Sequence, residues 1–516
     1  MALQLQCLTT AGDPTMILSQ QPGDLNPQLQ ETFAALLPMI QQAARDGTPV
    51  HVVELALWKW CLRVGFLALK QFFALLGTGD VGDTLDLPDG QQARRLPNLH
   101  DRRYVSVFGE VRLQRTVYGS REGQAIACVP LDNRLQLPES PFSYLLQDWD
   151  QSLCAEEAFG QVSCTIARML GLKQSVDSLE HMNEQMAQQV TGFREDRAMP
   201  EPEAEGEVLV VSADGKGVVM RRTAQSPAPS AHRTKGEKAS QKRMATVGAA
   251  YSVDRYVRTA EQVVAALFRD EPKPTQRRPQ PQGKQVWASL EHQEDGQTVS
   301  SMDVVFPWLL NEVAERNPGL AKEMVYLCDG QESLWEACAR HLPKKNSTAI
   351  LDLLHVTPRL WQAAHVFHAE KSAEAEGFVR ERLLRVLQGE VKEVIRGLRQ
   401  LGRKRDLKGS KQKTLQTVCN YLAKNVERMR YDAYLSKGYP IASGVIEGAC
   451  RHLVKDRMER AGMHWTMKGA QAMLDVRSVY VNGAWEEYQA YRIKRETARL
   501  YPNRSLFTGV DFPMAV

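Results

Sequence analysis

The chain has 516 residues, of which 43% are apolar and 24% charged, and its formal net charge is +4. That length allows several domains and a sizeable core, and the composition is ordinary for a soluble globular protein. So small a net charge makes no case for a polyanionic partner, which has to be argued from local charge. The nine cysteines form no CxxC pair, which excludes a zinc ribbon and a disulfide framework and points to reduced thiols in a cytoplasmic protein.

No basic segment precedes an apolar one at the N-terminus, so no signal peptide is expected. A polar leader with Pro14, Pro22 and Pro27 leads into a predicted helix around Leu29 to Ala44. Val52 to Leu76 is the most apolar stretch, but Glu54, Lys59, Arg63 and Lys70 interrupt it. An amphipathic helix therefore fits better than a membrane span. Gly77-Thr-Gly79-Asp-Val-Gly82 spells G-x-G-x-x-G, yet it follows a helix and lies among Asp80, Asp83, Asp86 and Asp89. Those acids would repel a pyrophosphate, so the stretch reads as a solvated acidic loop. Residues 1–100 form a helical N-terminal region.

Residues 101–200 change character. Tyr104 to Phe108 and Val111 to Tyr118 alternate at period two around Gly109-Glu110, the pattern of a hairpin decorated by Arg102, Arg103, Arg112 and Arg115. These arginines suit nucleic-acid contact and ordinary solvation equally. A helix from about Ala155 to Leu170, Gly171 as its cap and Ser175 opening the next helix give a helix-turn-helix-like pattern. Phe193 to Glu207 reads as a linker.

The central stretch is Glu207 to Gly217. Val208 to Val211 suit a buried strand, and Asp214 arrives where that strand is expected to surface, followed by Gly-Lys-Gly. Read alone, it is a common Asp-Gly turn. Met324 to Cys328 followed by Asp329-Gly330 repeats the pattern, and Thr348 to Val356 reads as another buried strand ending in Asp352-x-x-His355. Two basic, proline-bearing loops, 221–243 and 273–284, flank the first acid. Pro358 to Lys437 reads as almost continuous helix, with a dense basic run beginning at Arg403, Lys404 and Arg405. Ser443 is a candidate N-cap that places Glu447 in the first turns of a helix, with Arg451 and Lys455 one and two turns later on the same face. The predicted organisation is an α/β core over 201–356, a helical insertion over 357–438, the rest of the core over 439–490, and a tail over 491–516.

Two acids at strand ends and one on a helix can share two hard divalent cations. Ions held roughly 3.5–4 Å apart serve phosphodiester chemistry, activating a water or hydroxyl and stabilising the leaving oxygen. The strand-Asp, strand-Asp, helix-Glu order is that of ribonuclease-H-like nucleases and transposases. Lys216, Arg451 and Lys455 are candidate phosphate contacts. Trp465 either stacks on a base or completes the core.

The motifs Ser212-Ala-Asp214-Gly-Lys-Gly217, Cys328-Asp329-Gly330, Leu351-Asp-Leu-Leu-His355-Val356 and Tyr439 to Arg457 resemble the ISKra family of bacterial insertion-sequence transposases, from about Tyr104 to about Arg492. The resemblance implies a DDE transposase with a ribonuclease-H-like core, interrupted by an all-α insertion and preceded by helical and hairpin regions. Asp214, Asp329 and Glu447 match its catalytic, metal-binding triad, with Mg2+ as cofactor and Mn2+ as a substitute. Asp352 and His355 match a C/D-x-x-H motif, in which the histidine touches DNA, tunes a metal ligand or is structural. Double-stranded DNA, as terminal inverted repeats and target, and a homodimer or larger assembly are the implied partners. An inactive domesticated DNA-binding protein and a nuclease without strand transfer are the competing expectations.

Overall fold

The computed structural model describes residues 25–88, 90–119, 126–198, 201–221, 242–270, 277–294, 296–460 and 462–507. Most of the basic loop 221–243, part of the loop 273–284, the N-terminal leader and the last residues of the tail lie outside the described residues. The chain divides into two compact units, Met1–Gln189 with Trp485–Val516, and Val190–Ala484. No helix among the described residues is long and apolar enough to cross a membrane.

In the first unit the stretch predicted as one helix is two, Leu25–Ala34 and Leu36–Arg45. Pro38 explains the break, because it has no N–H to donate to Ala34 and its ring crowds that carbonyl. A long helix, Val50–Leu76, follows. The supposed solvated acidic loop is pinned instead: Asp80 pairs with Arg95 and accepts from the Tyr118 hydroxyl at 3.1 Å. The hairpin pairs His100–Ser106 with Gly109–Arg115, but most of its arginines are spent internally. Arg102 and Arg115 both bind the buried Asp132, at 2.8 and 2.5 Å, and Arg103 binds Glu110 at 2.9 Å. Helix Phe159–Leu170 stops at Gly171, whose φ of 73° only glycine adopts at little strain. The Ser175 hydroxyl then caps Val176–Ala187 by accepting from Ser178 N.

The second unit is built on a five-stranded sheet. Its strands are β1 (Val208–Val219), β2 (Lys242–Val253), β3 (Gln282–Ser289), β4 (Glu323–Cys328) and β5 (Ser347–Leu351), in the order β5-β4-β1-β2-β3. β4 and β5 run parallel to β1, whereas β2 and β3 are antiparallel neighbours. Val208 to Val211 sit centrally with helices over both faces, so none is more than 2% exposed. Burying each such side chain contributes about 1.5–3 kcal/mol.

Among the helices are α1 (Ala260–Phe268), α2 (Ser301–Arg316) and α3 (Glu332–His341). The helical run then comprises α4 (Leu353–Phe367), α5 (Ala373–Leu387), α6 (Val391–Lys404), α7 (Gly409–Asn425) and α8 (Tyr431–Ser436). Its apolar residues, such as Leu360, Phe378, Leu398 and Leu422, belong to the same core cluster as Val210 and Leu327. Much of its charged face is paired: Arg380 with Asp270 and Glu376, Arg385 with Glu390, and Arg396 with Glu393. Next come α9 (Gly444–Ala449), a π turn over Cys450–Lys455, and α10 (Met467–Val481).

Candidate metal centre at the sheet end

Asp214 does not end its strand. β1 continues through Gly-Lys-Gly to Val219, paired with β2 along its full length, while its parallel pairing with β4 stops at Val211 opposite Tyr326. The buried part of the strand thus ends near Ala213, and an antiparallel arm carries the backbone onward. Alternation of side chains also revises the role expected for the glycines. Gly215 and Gly217 lie on the strand face opposite Asp214, where a Cβ would meet Met244 at 3.1 Å and Lys242 at 3.0 Å. They leave room for those side chains, on the side away from the carboxylate.

β4 brings the second acid alongside. Tyr326 pairs with Val211, so extending that register by three residues sets Asp329 level with Asp214. Asp329 Oδ1 accepts from Gln331 N at 2.8 Å. Burial pushes the Asp329 carboxyl above the usual aspartate range; the Gln331 amide opposes this, Asp214 reinforces it, and His355 and Arg359 oppose it. Gly330 follows because the Tyr421 ring passes where a Cβ would sit, 2.3 Å away.

The D-x-x-H stretch is a corner rather than a strand. β5 stops at Leu351, and Asp352 becomes the N-cap of α4, its Oδ1 accepting from Leu354 N at 2.8 Å. Its other oxygen accepts from Ser443 N at 3.2 Å. Ser443 in turn caps α9, its hydroxyl accepting from Ile446 N at 3.1 Å and lying 3.4 Å from the Ser212 hydroxyl. One buried carboxylate therefore ties the start of α4, which carries His355, to the start of α9, which carries Glu447. Burial raises the Asp352 carboxyl, and its two backbone donors pull it back.

These braces bring His355 Nε2 to 3.1 Å from Glu447 Oε1. One ligand atom each from Asp214, His355 and Glu447 lies within 4.8 Å of the others. Asp214 and His355 are half-buried and Glu447 is exposed, so the cluster opens to solvent. Asp214 Oδ1 accepts from Gly215 N at 2.7 Å, and among the described residues Oδ2 takes a weak donor alone, the Cys450 thiol at 3.5 Å. Burial, and next Asp214 itself, hold that thiol protonated. Two carboxylates and an imidazole, converging with few competing donors, are a donor set that suits a divalent cation. Asp329 stands beside this cluster and is not one of its three members.

The remaining candidates fall in several places. Lys216 lies 3.8 Å from Glu459, which also holds Lys242 at 2.5 Å. Arg451 is exposed, 3.7 Å from Asp456. The π turn changes the helical repeat after Ala449, so Arg451 and Lys455 do not continue the Glu447 face by simple one-turn spacing. Arg403 and Lys404 end α6, and Arg405 caps it; all three are exposed. Trp465 is buried: Trp465 Nε1 donates to Met458 O at 3.2 Å, and the Arg457 guanidinium lies 5.1 Å from its ring centre. Its backbone bridges Met220 at the end of the β1 arm. Sequence reasoning missed Cys450, the bracing role of Asp352, and Arg359, which bears on Asp329 from one turn beyond His355.

The structure is thus a mixed α/β protein with a carboxylate and imidazole cluster at the end of a five-stranded sheet. The chain matches no family model, and no curated protein matches it. Among solved structures, the strand transfer complex of the Drosophila P element transposase is similar at 9% identity with a TM-score of 0.22, over 74% of this chain and 92% of that one. So distant a likeness carries no weight for fold or activity, and the site has to be argued from its own geometry.

Proposed function

We propose that the chain is a metal-dependent DNA transposase of the DDE type with a ribonuclease-H-like core. The observation that carries this reading is the convergence of Asp214, His355 and Glu447 within 4.8 Å, with Asp329 alongside. These residues come from β1, the turn that follows β4, α4 and α9, so the fold has gathered acids that repel one another. Divalent ions, Mg2+ or Mn2+, would supply neutralisation of phosphodiester charge and activation of the attacking oxygen.

Asp214 and Glu447 would hold the cation, with His355 as third donor or as the group that orients Glu447. Asp329 would be a ligand for a second ion. Its carboxyl, raised by burial and by Asp214, ionises more readily once positive charge is present. Arg359, Lys216, Arg451 and Lys455 would contact phosphates, Lys216 by exchanging Glu459 for DNA. The substrates are the inverted-repeat ends of an element and target DNA, and the working form is a homodimer or larger assembly in the cytoplasm.

The test is an assay on labelled element ends with supercoiled target DNA in the presence of Mg2+. End cleavage and joined products support the proposal. Cleavage without joining would leave a nuclease only, and DNA binding without cleavage would leave a binding protein.

A further inference from the structure

A second charged feature lies apart from the acid cluster. A cavity of about 570 Å³ is lined by Arg258, Arg278, Lys284 and His452, with Asp254 as an acid in its wall. Its size falls within the range of about 300–1,000 Å³ typical of small-molecule sites. Among the described residues the buried Arg258 Nε has no hydrogen-bond partner, and the Arg258 guanidinium carbon lies 5.1 Å from the Tyr256 ring centre. The other cation bearing on it is Arg278; burial first, and then that like charge, lower the Arg258 guanidinium below its ordinary value. Asp254 Oδ2 accepts from Gln282 Nε2 at 3.3 Å.

The opposite wall is α9, which contributes Gly444 and Gly448. These residues are four apart and so share one helix face. A Cβ at Gly444 would meet nothing within 4 Å, and one at Gly448 only the His452 ring, at 3.9 Å. The space exists in part because two of the positions α9 turns to the cavity, Gly444 and Gly448, carry no side chain, beside Val445 and Ala449. A half-buried arginine with a stranded Nε and a like charge beside it is stabilised when an anion joins it.

We propose that this cavity is an anion subsite that takes a phosphate group of single-stranded DNA, with Arg258 and Arg278 as its ligands. The inference rests on the reading of the chain as a DNA-processing enzyme. Two guanidinium groups suit the planar, two-pronged recognition of phosphate. A strand seated there would lie against the same short helix that presents Glu447, giving the enzyme a grip on DNA beside the acid cluster.

The test measures binding of a fluorescein-labelled single-stranded oligonucleotide to the full-length protein by anisotropy, in EDTA, with inorganic pyrophosphate as competitor. The double variant Arg258→Gln with Arg278→Gln should bind about tenfold more weakly. Gly444→Leu keeps every charge but fills the cavity, and should weaken binding as well. Pyrophosphate should displace the oligonucleotide from the unmodified protein. Unchanged oligonucleotide binding in both variants, at unaltered melting temperature, overturns the proposal. So does pyrophosphate binding that the variants abolish while the oligonucleotide is unaffected, which would mark a site for free anions. Asp214→Asn should bind the oligonucleotide normally and fail to cut. Cutting that survives this change would sink the transposase reading and leave the binding result intact.

Discussion

Two groups of carboxylates at the same sheet end behave in opposite ways. Asp352 is buried and braced, each oxygen taking a backbone N–H, from Leu354 and from Ser443. Asp214, Asp329 and Glu447 are more open: Asp214 and Asp329 each take one backbone N–H, Asp214 and Glu447 converge with His355, and Asp329 is felt by Asp214 and His355. The difference separates a carboxylate that holds the architecture together from the carboxylates to which the proposed function assigns a cation. Burial alone would have ranked Asp352 first, whereas donor supply singles out the others.

The largest expected effect lies on the open side of this comparison. Asp214→Asn or Glu447→Gln should reduce metal-dependent cleavage of DNA ends by at least about 10²–10³-fold, read on gels, with little change in thermal stability. Next is His355→Ala, expected to weaken divalent-metal affinity about 10–100-fold while the metal-free melting temperature stays the same. A metal titration followed by calorimetry checks it, and an equal loss of stability would mean that His355 belongs with Asp352 instead.

On the braced side, Asp352→Ala should cost about 2–4 kcal/mol in denaturant unfolding, since it strands two backbone donors and removes a helix cap. Asp352→Asn keeps an acceptor and should cost about half of that.

The smallest effect concerns Asp329, whose raised carboxyl makes its ionised form a liability in the metal-free fold. The sign follows from linkage: this group's contribution favours folding below the unfolded aspartate value of about 3.9 and is lost as pH rises through the raised folded value. Asp329→Asn should therefore raise the metal-free melting temperature near neutral pH and lose that advantage on acidification below about pH 3.9.

How much of this was legible in the sequence depends on whether the cause is local. The buried strands around Val208 to Val211 and Met324 to Cys328 could be read because β-branched and apolar runs of that length have few other homes. The helix caps at Ser175 and Ser443 were legible for the same local reason. That β1 runs on past Asp214 was not, because the partner strand β2 decides it. Nor was the corner at Asp352, since its second donor, Ser443, is 91 residues away. Nor was the π turn after Ala449, which helical spacing arithmetic does not anticipate. The hairpin arginines read as free cations until Asp132 supplied a buried partner for two of them.

Everything proposed for the chemistry rests on Asp214, His355 and Glu447 as a cation site. Its most direct test is a Mn2+ titration of the full-length protein followed by electron paramagnetic resonance, with Asp214→Asn, Glu447→Gln and Asp352→Asn in parallel. The account predicts a bound Mn2+ signal that disappears in the first two variants and persists in the third. The same bound signal in all four proteins would contradict it.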